Sequence, residues 1–371
     1  MDFNFSDDQE ALRDAVRKWV DRSYTFERRQ GIAKAGGFDR GAYGELAELG
    51  LTGLYVSEEH GGMGMGPVEA MVVMEELGRG IVLEPLAQTL VASGVLGAYA
   101  PEAVKAAWLP KIASGEALVV LAYQERKARY RLDACEAQGT QAGGGWKLSG
   151  DKSIVPAGDQ ADAFLVPARA DGKIALFLVE RAAQGVSARG YLTMDEGRAA
   201  EVSLRDAAAT LVCADGLAAL EHAVDIGIAC TCAEGVGAID RTMQLTAEYL
   251  NTRKQFGVPL ATFQALRHRM ADMKMQQELA RSMSYYASLK LNAPTEERRR
   301  AMARAKYQLG VALRFVGQNS VQLHGGIGVT DEYIGSHYFK KLTQLELQYG
   351  DTLHHLGEVS ERMQDTAGVF A

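Results

Sequence analysis

The side chains that could carry chemistry here do not belong to the common nucleophilic, nucleotide-binding or metal motifs. No Gly-x-Ser-x-Gly turn offers a serine nucleophile. No Gly-x-Gly-x-x-Gly follows a strand pattern, and no Gly-Lys-Ser/Thr phosphate loop occurs. The cysteines Cys135, Cys213, Cys230 and Cys232 form no Cys-x-x-Cys pair, and no histidine lies at metal-ligand spacing, so no metal site is expected. Cys230 and Cys232 stand two apart in a helical pattern, point to different helix faces and should not pair. Two other segments stand out. Arg253-Lys254-Gln255-Phe256-Gly257 ends a long helical pattern, with Phe263-Gln264 just beyond, and Gln322-Leu323-His324-Gly325-Gly326-Ile327-Gly328 stops another at a glycine pair. Taken singly, each has an ordinary use. Arg253 and Lys254 would complement a helix C-terminus, and Gly325-Gly326 would serve as a C-cap.

Several elements must position these segments. Ser6 and Gln9 form a capping box ahead of a helix with Leu12, Val16, Trp19 and Val20 on one face. Further helices are expected at about Asp39–Leu49, from Pro67 to Gly78 or Gly80, at Leu86–Ala98 and at Ala103–Ala113, with a short extended run from Leu51 to Val56. Near residue 117 the apolar period changes from helical to alternating. Strands are expected at Ala117–Tyr123, Trp146–Val155, Ala163–Ala168, Ile174–Val179 and Glu201–Leu204. Long helices then return at about Ala214–Asn251, Phe263–Leu291, Glu296–His324 and Leu353–Met363. The pattern predicts an α+β multi-domain protein. A helical N-terminal domain covers 1–116, a small antiparallel β-barrel or sandwich covers 117–212, and a C-terminal four-helix bundle covers 213–371. The helices around Ala233–Tyr249 and Met302–Val316 are apolar on more than one face, which predicts buried subunit contacts there.

With 371 residues, 47% apolar and 23% charged, the chain is neither disordered nor fibrous. Forty basic against forty-seven acidic side chains give a net charge of -7, which speaks against a nucleic-acid surface. Arg298-Arg299-Arg300 follows Glu296 and Glu297 and reads as a solvated helix start. The chain opens without a basic stretch, so no signal peptide is expected. Its longest uncharged run, Pro85 to Pro101, carries Gln88, Thr89 and Ser93 and is too polar for a membrane span. A reducing cytoplasm is the expected compartment.

Together, and in this order after a β domain, the two bundle segments resemble the acyl-CoA dehydrogenase family. The resemblance runs along essentially the whole chain and includes the stretch from Leu49 to Gly64, with its Glu58-Glu59-His60-Gly61-Gly62-Met63-Gly64 loop. It is nearest to the small subunits of heteromeric enzymes of the pimeloyl-CoA dehydrogenase type, with relatives acting on steroid side chains. The resemblance implies FAD, an acyl-CoA substrate, an electron-transferring flavoprotein as acceptor and a second dehydrogenase-like subunit. In that family FAD lies between the β domain and the bundle, and its adenosine diphosphate half crosses to a neighbouring subunit. By resemblance, Arg253 offers its planar donors to the pyrophosphate, and Gly325 and Gly326 let the backbone approach it. Phe256, Gln264, Gln322, Leu323 and His324 are implied in the same region.

The departures from the family pattern are equally specific. The loop usually found over flavin and substrate reads Gln124-Glu125-Arg126, then Tyr130-Arg131-Leu132. The element that normally packs and hydrogen-bonds the flavin ring reads Ile154-Val155-Pro156, and proline has neither hydroxyl nor N–H to offer. The usual catalytic glutamate aligns with Tyr349, followed by Gly350 and Asp351. The alternative base position falls on Gly227, the expected arginine beside it on Ile228, and Asp225 is the nearest carboxylate. A phenol with a pKa of about 10 is a poor base for a thioester α-proton. Two readings follow: a partner subunit that donates FAD contacts across an interface, or a self-sufficient homo-oligomer whose base is Asp351 or Glu125. A helical scaffold without flavin is the third.

Overall fold

The computed structural model describes residues 5–364. Residues 1–4 and 365–371, the outer margins of the first and third expected domains, lie outside the described residues. The order is a helical N-terminal part, a middle β domain and a C-terminal helical part. The first part holds α1 (Asp7–Arg22), α2 (Phe26–Ala35), α3 (Arg40–Glu48), α4 (Pro67–Arg79), α5 (Leu86–Tyr99) and α6 (Glu102–Ala113). Ser6 and Gln9 make the expected reciprocal capping box on α1. The expected extended run after Leu51 is instead a helical turn, Leu51–Gly53, entered from Gly50 in the left-handed region. Glycine permits that entry, and the turn then buries Leu51 and Leu54.

By contact the chain groups into two units. One contains Met1–Arg28, Pro67–Val82 and Ile228–Ala371; the other contains Arg29–Gly66 and Leu83–Gly227. The second unit is built on β1 (Val119–Leu121), β2 (Gln138–Ala142), β3 (Gly145–Pro156), β4 (Ala163–Ala170), β5 (Lys173–Glu180), β6 (Val186–Leu192) and β7 (Arg198–Cys213). β4, β2, β3, β7 and β5 pair in a closed ring, with β1 beside β4 and β6 beside β7. Closure removes the free edges that a small open sheet would expose. The β1–β4 and β2–β4 pairings are parallel and the others antiparallel. The ring encloses Leu148, Phe164, Val166, Phe177, Val202 and Leu204, all fully buried. β2 and β6 are polar and largely exposed, so alternation gave no sign of them.

The first unit assembles α1 and α4 with the C-terminal part of α7 (Gly216–Thr252), the hairpin β8 (Lys254–Gln255) and β9 (Val258–Pro259), α8 (Gln264–Lys290), α9 (Thr295–His324), α10 (Ile334–Leu347) and α11 (Thr352–Gln364). α7 is long and apolar enough to cross a bilayer, yet 78% of its most apolar window is buried, as in the core helix of a water-soluble fold. Its close approach to α4 depends on glycine. A Cβ on Gly237 would lie 1.8 Å from the Glu75 carbonyl oxygen, and one on Gly78 2.0 Å from that of Glu234. The expectation of subunit contacts along Ala233–Tyr249 and Met302–Val316 is corrected here. Val236, Ile239, Met302, Leu309, Leu313 and Val316 are already buried within the chain, because α7 and α9 are its central helices. Exposed apolar side chains sit instead on α8 (Met275, Leu279, Leu289) and α11 (Leu353, Leu356). The α4–α7 crossing also buries a carboxyl. Glu75 is pushed up to about 7 by burial, opposed by Arg281 and Arg13 and reinforced by Glu76 and Asp240.

Candidate functional site

The two motif segments of the first unit are tied to each other. Thr246 Oγ1 on α7 lies 2.9 Å from Ser320 Oγ on α9. The ring of His324 lies 4.6 Å from that of Tyr249. One turn after Tyr249, Arg253 donates its backbone N–H to the Tyr249 carbonyl and leaves its side chain exposed. Among the described residues, no hydrogen bond or ion pair engages that guanidinium.

The hairpin after Arg253 turns at Phe256 and Gly257, both with positive φ (53° and 80°). Such a turn suits the twist of its strands, but it puts a bulky aromatic in a region that disfavours any Cβ. Phe256 is 91% exposed, so its own unit does not repay that strain. Its ring meets only the edge of Phe263, 6.2 Å away. Gln264 and Gln322 are exposed nearby in sequence to these motifs. Gly325 ends α9 at φ 65°, and a Cβ on Gly325 or Gly326 would meet nothing within 4 Å. Their backbone therefore faces open space, where another molecule can approach. An unengaged guanidinium, an exposed aromatic and two open glycines fit the pyrophosphate and adenosine of a dinucleotide.

Leu323 and His324 do not share that surface. Leu323 is buried. His324 Nδ1 donates to the Ser320 carbonyl at 2.8 Å, and Nε2 accepts from Tyr333 Oη at 2.8 Å. Both residues are corrected from cofactor contacts to supports, because the last turn of α9 points them inward.

The residues expected at catalytic positions are also engaged. Tyr349 is buried at φ 54°, and its carbonyl accepts from His355 Nε2 at 2.9 Å. Lys306, fully buried on α9, donates to the carbonyls of Glu346 and Gly350 at 2.9 Å each. Burial pushes its ammonium down to about 8, against the pull of Cys232, Glu346 and Asp351. Glu346 in turn accepts from the N–H and hydroxyl of Thr352. The Tyr349 loop is thus held by three buried polar side chains. Asp351 Oδ1 accepts from the backbone N–H of His354 at 2.8 Å, the geometry of an N-cap for α11. It is corrected from candidate base to helix cap.

In the second unit Glu125 is likewise not available as a base. Its Oε1 lies 2.6 Å from Lys152 Nζ, and it accepts the N–H groups of Glu136 and Ala137 at 2.6 and 3.1 Å. Lys152 has no exposed surface and also donates to the Pro167 carbonyl at 2.8 Å. Burial opposes ionisation of Glu125, but Lys152 and the two amides hold its carboxyl below the usual range. At the element aligned with the family's flavin contact, the β3–β7 ladder bulges between Lys152 and Val155. Ile154 sits there at φ 53°, half exposed. Burial and the nearby Glu201 raise the Tyr191 hydroxyl above its ordinary value, and Arg126 lies 3.4 Å from Glu201. Asp225 is fully buried, as are Gly227 and Ile228. Sequence reasoning placed Lys152 in an expected strand and Lys306 in an expected apolar helix, but nothing local signalled that either ammonium is buried and hydrogen-bonded.

The fold is that of a flavin-dependent dehydrogenase scaffold. Residues 6–116 match the acyl-CoA dehydrogenase N-terminal domain and residues 214–363 the C-terminal domain. The chain is 31% identical to the acyl-CoA dehydrogenase IpdE2 of Mycobacterium tuberculosis over 84% of its length and 83% of that protein. It is 28% identical to FadE27 of the same organism over 99% of its length and all of that protein. Among solved structures it is similar to a Tcur3481-Tcur3483 steroid acyl-CoA dehydrogenase variant (TM-score 0.90, 28% identity, 97% of this chain and 99% of that one). It is also similar to the ChsE4-ChsE5 complex of M. tuberculosis (TM-score 0.89, 27% identity, 99% and 100%). The chain belongs to the acyl-CoA dehydrogenase family of oxidoreductases. FAD is the cofactor of that family.

Proposed function

We propose that this chain is a subunit of a heteromeric acyl-CoA dehydrogenase and lends Arg253, Phe256, Gln264, Gln322, Gly325 and Gly326 to the FAD of a neighbouring dehydrogenase-like chain. When bound, FAD takes the hydride in α,β-dehydrogenation of the acyl-CoA thioester. Arg253 holds the pyrophosphate with its planar donors, and the open glycines let the α9 terminus approach it. Electrons then leave through an electron-transferring flavoprotein. Four free cysteines suit a reducing cytoplasm.

One observation carries this reading: the candidate contacts sort by role. Residues that would face a neighbour's cofactor are exposed and unengaged, whereas the positions that would serve the chain's own flavin ring and substrate are occupied. Ile154 and Pro156 fill the flavin-contact element, Lys152 neutralises Glu125, and Tyr349 stands where a glutamate is needed. Relatives whose structures are described as the ChsE4-ChsE5 complex and the Tcur3481-Tcur3483 steroid enzyme favour a two-chain assembly and a steroid-derived acyl substrate.

The test is the visible spectrum of the chain purified alone and with its co-expressed partner. The chain alone should carry little or no flavin and show no turnover. Arg253→Ala in the complex should lower the partner's flavin affinity by about ten- to a hundredfold, the loss of charge-assisted bonds of roughly 1.5–3 kcal/mol. Arg253→Lys should rescue part of it. A yellow, active homo-oligomer would replace this reading with that of a self-sufficient enzyme, and a colourless, inactive complex would leave a scaffold.

A further inference from the structure

We propose that His324 is a positioning residue: a neutral imidazole of fixed tautomer that sets the placement of Arg253 relative to the Gly325–Gly326 turn. The inference rests on the platform reading above and names the device that holds the platform in register.

The ring has an assignment to make at each nitrogen. The Ser320 carbonyl, 2.8 Å from Nδ1, can only accept, so Nδ1 carries the proton. Nε2 is then bare and accepts from the Tyr333 hydroxyl at 2.8 Å. Both bonds are made at once by the neutral ring. Burial lowers the affinity of the ring for a second proton, against the pull of the Ser320 and Leu245 backbones.

The placement of the ring gives it a role beyond filling space. Its ring stacks at a tilt on Tyr249, whose carbonyl receives the Arg253 N–H at 2.8 Å, so the stacking partner lies one turn before the guanidinium and is bonded to its backbone. On its other side the chain runs directly into Gly325, where α9 stops. Tyr333, which clamps Nε2, lies beyond the turn that Gly325 begins and opens α10. The imidazole therefore touches the end of α7, the end of α9 and the start of α10. Arg253 and Gly325, the two open groups of the platform, each sit a residue or one turn from one of its contacts. The Thr246–Ser320 hydroxyl pair holds the same two helices one turn lower. That second tie keeps the helices together and leaves orientation at their ends to His324.

A support that acts through Arg253 is distinguishable from one that merely stabilises the bundle. In the co-expressed complex stripped of flavin, FAD affinity is measured by fluorescence titration for His324→Gln, Arg253→Ala and the double variant, with the denaturation midpoint recorded alongside. His324→Gln should weaken FAD by roughly five- to tenfold, the worth of about one misplaced hydrogen-bonding group. It should add little in the Arg253→Ala background, since the two act on one contact. Tyr333→Phe keeps the packing but frees Nε2. It should weaken FAD by a similar roughly five- to tenfold, again with little added in the Arg253→Ala background. If His324→Gln does not assemble, Tyr333→Phe decides alone. Full additivity of the two losses, or a Tyr333→Phe complex with unchanged affinity, overturns the inference. If Arg253→Ala itself leaves FAD affinity unchanged, the platform reading falls instead.

Discussion

Glu125→Gln should damage folding far more than chemistry. The carboxylate lies 2.6 Å from a lysine with no exposed surface, and it takes two backbone N–H groups besides. Removing one partner of a buried ion pair leaves the other charge uncompensated, at a cost of about 3–5 kcal/mol. Glutamine keeps one oxygen for Ala137 and Lys152 but turns an NH2 toward the Glu136 N–H, which places the expected loss near the upper figure, about 5 kcal/mol. Lys152 would keep its bond to the Pro167 carbonyl but lose its counter-charge. The pH dependence gives a second signature. Because the folded-state carboxyl is held below its usual value, its contribution is present at neutral pH and is lost as pH falls through the depressed value. The variant should be less stable than the unmutated chain at neutral pH and should show less acid sensitivity below about pH 4.5. Chemical denaturation of the complex at several pH values reads both effects, and turnover per folded complex should be unchanged. A variant with an unchanged midpoint and abolished turnover would refute this account and make Glu125 a catalytic group.

Other outcomes follow from neighbouring features. Glu75, pushed up to about 7, costs stability increasingly as pH rises from about 4.5 to 7, so Glu75→Gln should stabilise the chain by up to about 3 kcal/mol above neutrality and little in acid; denaturant midpoints at the two extremes check this. Gly237→Ala should cost more than about 3 kcal/mol, seen as a large fall in Tm, because its Cβ would sit 1.8 Å from a backbone oxygen of α4. Phe256→Gly relieves a left-handed aromatic and should leave Tm level or raise it by about 1 kcal/mol equivalent, while weakening the partner's hold on FAD in the same titration. The unmutated chain should gain stability as pH climbs from about 8 to 10.5, where buried Lys306 sheds its proton before the unfolded chain does. Lys306→Met should flatten that rise.

The order of helices, barrel and bundle was legible because long apolar periodicities and the switch near residue 117 are local signals. α2 and α10 escaped notice because both mix polar and small residues with weakly patterned apolar ones, and tertiary packing makes them helical. The exposure of Arg253, Gly325 and Gly326 agrees with motifs that sequence spacing singled out. The inner half of the platform was not legible. Nothing in Gln322-Leu323-His324 says which residue turns outward, since that depends on the last turn of α9 and on Tyr333 beyond the glycines. Charged residues misled in a consistent way. Glu125 and Asp351 were candidates because carboxylates can act as bases, and each proved to serve a buried lysine or a helix end that only three-dimensional proximity supplies.

The division of the chain into units has a consequence for its synthesis. α1 and α4 belong with Ile228 onward, and the whole β domain is made in between. About 150 residues separate Val82 from Ile228, which is roughly ten to thirty seconds at the ribosome. Throughout that interval α4, with Met71, Val72, Val73 and Leu77 facing a core that does not yet exist, has no α7 to cover it. The nascent chain must carry a sticky amphipathic helix past a domain that is already folding. The interval during which α4 stays uncovered is thus set by the time taken to translate the barrel.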